Sequence, residues 1–203
     1  MLFLSPHAAS LYDNLHIGIL ASVRRGGRKD ILGTKLWAAD NECFNGAFEA
    51  ESFTRWLDGR TQYCDTCRFI LAPDVVGDSG ATMARFAEWE PKIHGLGLPA
   101  ALALQDGMTA GTVPWDSLEA VFVGGSTAWK LGRDALAICQ QAQERDKWVH
   151  VGRVNSIRRI RAFWGVADSF DGSMFDRWHK TWTAWALNYI GERKAQLPLW
   201  EVS

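Results

Sequence analysis

The sequence predicts an α/β fold, a small and irregular (β/α)8 TIM-like barrel with trimmed crossovers. Short apolar runs that end in polar or glycine-rich residues recur along the chain, as in FILAPD and ALALQDG. Runs of this kind between turn residues are typical of parallel strands that are buried on both faces. Segments with helical spacing lie between the runs, and eight runs match the strand number of a closed parallel barrel.

The predicted strands and helices alternate along the chain. Strands are predicted at residues 1–4, 16–21, 35–39, 68–73, 99–104, 119–123, 148–152 and 164–167. Helices are predicted at residues 46–57, 79–90, 128–145, 155–163 and 173–190. The connections at 5–15 and 107–118 are too short for a full helix, so we expect a loop or a single turn in each. Because typical barrels have about 250 residues, an open doubly wound sheet is the alternative.

The composition predicts a single domain over residues 1–203. With 47% hydrophobic and 22% charged residues, the chain has enough apolar material for one sizeable core. No apolar run approaches the length of a membrane span, and the first residues lack the basic leader of a secretory signal. We therefore expect a cytoplasmic protein that makes no contact with a membrane.

The chain has four cysteines, and two of them, Cys64 and Cys67, have the Cys-x-x-Cys spacing that can bind zinc. A structural zinc site needs four ligands, and no second pair of this kind follows. We therefore predict neither a metal nor another cofactor, although the sequence leaves open whether this pair binds a metal. Disulfides are not expected in a cytoplasmic protein.

The formal net charge of −1 excludes a protein that is basic overall, so any contact with nucleic acid must be made by a local patch. One basic patch lies in the segment RRGGRK, and a second extends from residue 145 to residue 161. The second patch follows a predicted strand end directly. It provides the predicted nucleic-acid-binding residues Arg153, Arg158, Arg159 and Arg161. Solvated helix faces are the alternative interpretation.

Acidic residues end several of the apolar runs, namely Asp40, Asp74, and the pair Asp168 and Asp171. Parallel strands have their carboxyl ends at one edge of a sheet, so we expect these carboxylates to converge on one site. A buried carboxylate costs desolvation free energy unless it is bonded, and clusters of them are usually functional. One could attack an electrophilic carbon while another moves protons. A single aspartate of this kind could instead cap a helix.

A polar residue and a glycine pair end two further runs. The side chain of Gln105 offers both a donor and an acceptor, and Gly124 and Gly125 would let a flat ring approach the backbone closely. This set suits a purine base. The alternative is a phosphate site in the segment GGSTAWK at the start of a helix, although the segment lacks the P-loop spacing.

Taken in order, the segments resemble the guanine transglycosylase superfamily, whose members include queuine tRNA-ribosyltransferases and exchange guanine for a 7-deazaguanine base. The segments are WAADNECF, FILAPDVV, ALALQDG, VFVGGS and GVADSFDG, and the resemblance spans residues 36–175. The resemblance implies that Asp40 is the general acid and base. It also implies that Asp74, Gln105, Gly124 and Gly125 bind the base. The nucleophile is Asp171, or Asp168 by comparison with shorter relatives.

Members that act on tRNA carry a zinc site of three cysteines and a histidine after the nucleophile, and this chain has no cysteine beyond Cys139. The chain is therefore more similar to the compact DNA 7-deazaguanine transglycosylases of phages and some bacteria. The resemblance implies a pentosyltransferase with a covalent Asp-sugar intermediate, whose partners are DNA and a 7-deazaguanine base. The inserted base, the target sequence and the choice between a homodimer and a partner protein stay open.

Two other classes of function fit the same residues. One is an N-glycoside enzyme of the hydrolase or phosphorylase type that acts on nucleosides or nucleotides. The other is a non-catalytic nucleic-acid-binding barrel, which would bind without forming a covalent adduct.

Overall fold

The computed structural model describes residues 2–5, 16–25, 29–173 and 188. It is an α/β fold in which parallel strands alternate with helices. The strands are β1 (Leu2–Leu4), β2 (Ile17–Ala21), β3 (Trp37–Ala39), β4 (Cys67–Leu71), β5 (Ala100–Leu104), β6 (Ala120–Val123), β7 (Trp148–Val151) and β8 (Ser169–Phe170). The α-helices in the described ranges are α1 (Lys29–Leu32), α2 (Ala50–Asp58), α3 (Ser79–Gly95), α4 (Thr127–Lys130), α5 (Arg133–Glu144) and α6 (Ile157–Ala162).

Each strand pairs in parallel with the next strand along the chain. The seven strands β2 to β8 curl into an open half-barrel, and the three-residue β1 pairs with β2 on one side and with β8 on the other. The order of pairing therefore forms a circle. Because all pairs are parallel, the carboxyl ends of all the strands lie at the same edge of the sheet.

The strands are buried on both faces, as their near-continuous apolar sequences predict. In β5, Ala101 and Ala103 belong to a cluster inside the curled sheet, whereas Ala100, Leu102 and Leu104 pack on the outside with the helices. The inner cluster combines large residues with several alanines: Leu4, Leu20, Ala38, Phe69, Leu71, Ala101, Ala103 and Ala120. The small side chains leave space inside the sheet near its carboxyl edge.

The first seven predicted strands are confirmed, each within two residues of its predicted bounds. The predicted eighth strand at 164–167 is wrong, because the chain forms β8 at Ser169–Phe170 instead. Helix α6 ends at Ala162, Phe163 is buried, and Gly165 adopts a φ of +87° in the turn before β8. Asp168 therefore precedes β8, and only Asp171 follows it.

The helices depart from their predicted bounds for local reasons. Helix α2 begins at Ala50 rather than at residue 46, because the side chain of Glu49 accepts hydrogen bonds from the backbone N–H groups of the first turn. The helix predicted at 128–145 is divided into α4 and α5 at Gly132, where a Cβ atom would lie 3.0 Å from the carbonyl oxygen of Trp129. The predicted helix at 173–190 lies outside the described residues except for its first residue and Asn188.

The connection at 107–118 contains two single 3-10 turns, Ala110–Thr112 and Trp115–Ser117, and so confirms the predicted loop or turn. The connection at 5–15 lies outside the described residues beyond Ser5. Within the described part of the chain, none of the helices combines the length and apolarity needed to cross a lipid bilayer.

Phe53 on α2 and Phe44 in the loop before α2 allow a matched test of the core outside the sheet. Phe53 on α2 is 1% exposed and packs against the rings of Phe48, Trp56 and Trp89, whereas Phe44 is 57% exposed. We expect Phe53→Ala to lower the free energy of unfolding by about 3–5 kcal/mol through lost burial and a residual cavity. Phe44→Ala should change it by less than about 0.5 kcal/mol. Urea denaturation measures both, and equal losses would contradict this description of the core.

Candidate active site

A cavity of about 100 Å³ opens at the carboxyl edge of the sheet. It is lined by Asp40, Asn41, Phe44, Asn45, Leu71, Asp74, Val76, Ala103, Gln105, Phe122, Gly124, Gly125, Arg153 and Asp171. The floor comes from inward-facing residues of the strands, and the walls come from the residues that follow them. The cavity thus brings together every predicted catalytic and base-binding residue except Asp168.

Asp40 follows β3, and its carboxyl lines the cavity. Burial, together with the nearby charges of Asp171 and Asp74, raises the pKa of this carboxyl from 3.8 to about 6, and the hydrogen bond from the Glu42 N–H opposes this rise. That N–H donates to Asp40 Oδ1 over 2.8 Å. A carboxyl with a pKa close to neutral can both give and take a proton at physiological pH.

Glu42 holds the loop that carries Asp40. Its backbone lies in the left-handed region with a φ of +61°, which is uncommon for a residue other than glycine. The buried side chain accepts hydrogen bonds from Ser22 Oγ over 2.7 Å and from the Arg24 N–H over 3.3 Å. These bonds tie the loop after β3 to the loop after β2.

Asp74 is held in a network of side-chain amides. Its Oδ1 accepts from Asn41 Nδ2 over 3.0 Å, and its Oδ2 accepts from Gln105 Nε2 over 2.7 Å. The other end of the Gln105 amide accepts from the Gly77 N–H over 3.1 Å, which fixes the orientation of that amide. Burial raises the pKa of Asp74, and the hydrogen bonds from Asn41 and Cys43 oppose this effect. The network presents a fixed carboxylate to the cavity, which suits recognition of N–H donors.

The glycine pair is required by the close packing of the backbone. A Cβ atom on Gly124 would lie 2.8 Å from the carbonyl oxygen of Leu104. Gly125 has a φ of +66°, and a Cβ atom there would lie 2.5 Å from Asp106 Oδ1. Both positions therefore present bare backbone to the cavity, as the purine interpretation of the sequence expects.

The geometry gives the alternative phosphate site little support. Helix α4 is a single turn of four residues, and the Ser126 side chain accepts a hydrogen bond from the Trp129 N–H in this turn. Lys130 is buried, and its Nζ donates to the carbonyl oxygen of Gly152. The amine is thus engaged with backbone beside β7 and is absent from the lining of the cavity. Burial and the charge of Arg153 lower its pKa to about 8.

Asp171 and Asp168 lie at opposite ends of β8. Asp171 lines the cavity, where its Oδ1 accepts from the Arg153 N–H over 2.9 Å and its Oδ2 pairs with His150 Nε2 over 2.9 Å. Asp168 Oδ2 instead accepts from the Val149 N–H over 2.8 Å and from Gln143 Nε2 over 2.9 Å. The predicted catalytic position of Asp168 is therefore corrected: this carboxylate joins α5 to the start of the sheet, and only Asp171 reaches the cavity.

The predicted nucleic-acid-binding arginines divide into two groups. Arg153 lines the cavity, and its Nη2 donates to the carbonyl oxygen of Gly125 over 2.7 Å. Arg159 lies behind it, where its Nη1 donates to the carbonyl oxygen of Arg153 over 2.9 Å. Arg158 and Arg161 are exposed on α6. The guanidinium of Arg153 also lies 4.4 Å from the centre of the Phe44 ring, so this pair crosses the mouth of the cavity.

Several residues of the site were not predicted from the sequence. Phe44 and Val76 line the cavity and are exposed apolar residues at its mouth, at 57% and 49%. Asn41 and Phe122 complete the walls and floor. Sequence signals existed for some of them, since Asn41 and Phe44 lie in the segment DNECF that directly follows a strand.

The described residues include no group of three or more histidine, cysteine or acidic side chains with the arrangement of a metal site. Cys67 begins β4, at the opposite edge of the sheet from the cavity, and is buried, while Cys64 is exposed. The site is therefore built from carboxylates, amides and backbone groups.

The raised pKa of Asp40 predicts how stability depends on pH. The unfolded chain loses this proton near pH 4 and the folded protein near pH 6, so the stabilising contribution is present below pH 4 and is lost as pH rises through 6. We expect Asp40→Asn to remove this dependence and, at pH 8, to raise the free energy of unfolding by about 3 kcal/mol. Denaturation from pH 4 to 8 measures this effect. The exposed Asp116→Asn is the control, and parallel curves for the two variants would contradict the assignment.

Comparison of the sequence with protein-family models and with curated proteins gives no match. The function must therefore be argued from the site itself. The site supplies three carboxylates in distinct environments, three side-chain amides, a bare backbone segment and the guanidinium of Arg153.

Proposed function

We propose that this chain is a nucleic-acid base-exchange enzyme, a pentosyltransferase that replaces guanine in DNA with a 7-deazaguanine base through a covalent Asp-sugar intermediate. The proposal extends to the fold, a (β/α)8 barrel of the transglycosylase type. One observation carries it. A single cavity combines a carboxylate fixed by two hydrogen bonds, a carboxyl with a pKa of about 6, and a carboxylate held by amides.

The network around Asp74 recognises the base. Guanine presents two adjacent donors, N1–H and the 2-amino group, which a fixed carboxylate accepts. A 7-deazaguanine differs from guanine only in its five-membered ring, so it presents the same edge to Asp74 and Gln105. The leaving and incoming bases can therefore occupy one position in turn, as an exchange requires.

In the first step, an oxygen of Asp171 attacks C1′ of the target nucleotide. A C1′–O bond forms and the C1′–N9 bond breaks, so the bonding electrons move to guanine, which takes a proton from Asp40. Neutral guanine leaves, Asp40 is ionised, and the sugar is held as an ester of Asp171.

In the second step, N9 of the incoming base attacks C1′ and gives its proton to Asp40. The C1′–O bond breaks and Asp171 returns to a carboxylate. Asp40 ends in its starting protonation state, and two displacements at C1′ retain its configuration. The pKa of about 6 suits a group that gives a proton in one step and takes it back in the next.

The target nucleotide must leave the DNA stack to reach this cavity, at a cost of a few kcal/mol. The exposed apolar side chains of Phe44 and Val76 border the mouth that the base would enter. Arg153 borders the same mouth and Arg159 is bonded to its backbone, so both can hold the flanking phosphates. We propose DNA as the polymer on the basis of the resemblance to the compact DNA 7-deazaguanine transglycosylases.

Asp168 and Asp171, which flank β8, give the sharpest test of the chemistry. Cells supplied with 7-deazaguanine precursors would express the wild type, Asp171→Asn or Asp168→Asn, and nucleosides from their DNA and tRNA would be analysed by mass spectrometry. We expect a new deoxynucleoside with the wild type and with Asp168→Asn. Asp171→Asn should lower its yield at least about 1,000-fold, since it removes the nucleophile.

The same new mass in tRNA would change the polymer and keep the chemistry. Cleavage of free nucleosides by the purified protein would favour the hydrolase or phosphorylase class instead. If purified protein neither exchanges guanine in DNA or tRNA nor forms a covalent adduct, the proposal is wrong.

The arginines of α6 test the contact with DNA. We expect the double variant Arg158→Ala and Arg159→Ala to weaken DNA binding and to reduce the slope of log K against log salt by about 1 to 2, because each phosphate contact contributes about 0.7–0.9. The control is Arg55→Ala with Lys92→Ala, two cations on the outer groove between α2 and α3. An unchanged salt slope in the α6 variant would refute the assignment.

A further inference from the structure

A chain of buried hydrogen bonds lies beneath Asp171, inside the curled sheet. His150 is 0% exposed and lies between the rings of Phe69 and Phe122, with ring centres 5.2 and 4.6 Å away. Its Nε2 is 2.9 Å from Asp171 Oδ2, and its Nδ1 is 2.8 Å from Ser169 Oγ. Trp148 Nε1 donates to the same Ser169 oxygen over 2.8 Å.

The chemistry of these groups fixes the direction of the chain. An indole N–H can only donate, so Ser169 Oγ accepts from Trp148 and has its own proton available for His150 Nδ1. The imidazole proton then resides on Nε2 and is donated to Asp171. With the proton on Nδ1 instead, Nε2 and the carboxylate would face each other as two acceptors. With both nitrogens protonated, the hydroxyl proton of the fully buried Ser169 would have to turn away from His150.

We propose that His150 is a positioning residue for the nucleophile: its neutral Nε2–H tautomer, set by Ser169 and Trp148, holds the carboxylate of Asp171 in place for attack on C1′. This role rests on the proposed function. The Arg153 N–H bonds the other carboxylate oxygen, so each oxygen has one donor. Two donors on two oxygens fix the plane of the carboxylate and leave lone pairs for the sugar carbon.

The hydrogen bond from His150 acts differently on the two steps. It is strongest when Asp171 carries a full negative charge and weaker when Asp171 is an ester. It therefore helps the carboxylate to leave C1′ in the second step, in which the C1′–O bond breaks and its electrons return to Asp171. Removing the donor should slow the second step more than the first, so the covalent adduct should accumulate.

The tautomer is tested first, on the protein without substrate. A long-range ¹H–¹⁵N spectrum resolves the side chains of the five histidines, and His150→Gln identifies the signal of His150. We expect a neutral ring protonated on Nε2, and a change of this signal in Ser169→Ala. A ring protonated on Nδ1, or on both nitrogens, would overturn the assigned chain.

The positioning role is tested by exchange kinetics with adduct trapping on denaturing gels. His150→Leu keeps much of the volume and removes the donor, whereas His150→Gln keeps an N–H group. We expect the leucine variant to lose about 100-fold in exchange rate, as for a misplaced reacting group, with a larger trapped adduct fraction. The glutamine variant should recover about tenfold of the rate. Val149→Ala, on the outer face of the same strand, should lower stability without raising the adduct fraction.

Equal rates and adduct fractions for the wild type and His150→Leu would overturn the role, as would a glutamine variant no better than the leucine variant. If His150→Leu does not fold, Ser169→Ala replaces it, since it breaks the same chain one bond earlier. A wild type without exchange activity would overturn the proposed function and the positioning role with it. The spectrum of His150 would still decide whether the hydrogen-bond chain exists.

Discussion

Three carboxylates share one small cavity at the carboxyl edge of the sheet. Hydrogen bonds from the surrounding residues offset the free-energy cost of burying them together. Each has its own partners: Asp40 has the Glu42 N–H, Asp74 has two side-chain amides, and Asp171 has the Arg153 N–H and His150. Burial raises the pKa of Asp40 and Asp74. Without these donors, the carboxylates would take up protons, and the three carboxyl groups would no longer differ in protonation state.

The three carboxylates have unequal sets of hydrogen-bond donors. Asp171 has a donor on each oxygen, and Asp74 is bonded through both oxygens to amides. Asp40 accepts from the Glu42 N–H at one oxygen, and its pKa of about 6 makes it the member suited to proton transfer. Neighbouring charges contribute to this shift, so any change of charge at Asp74 or Asp171 also changes the proton affinity of Asp40.

Much of this arrangement could be predicted from the sequence, because strand ends are marked locally by turn residues. The positions of Asp40, Asp74 and Gln105 follow from apolar runs whose ends are unambiguous. The segment GVADSFD was misread because β8 has two residues, too few to show a period, and its register is set by pairing with β1 and β7. His150 was missed for a related reason: in the run WVHV, its inward direction follows only from the pairing of β7.

The packing of the sheet and the geometry of the site depend on the same residues. A Cβ atom on Gly152 would lie 2.5 Å from the Phe122 ring and 3.5 Å from Asp171 Oδ2, so the end of β7 leaves no space between the floor of the cavity and its carboxylate. On the other side, Ala103 and Gly124 leave open the volume that a base would fill. Small residues thus determine both where the inner core is tightly packed and where the cavity lies. A change in the shape of this cavity would therefore have to alter the inner layer of the sheet together with the residues that follow the strands.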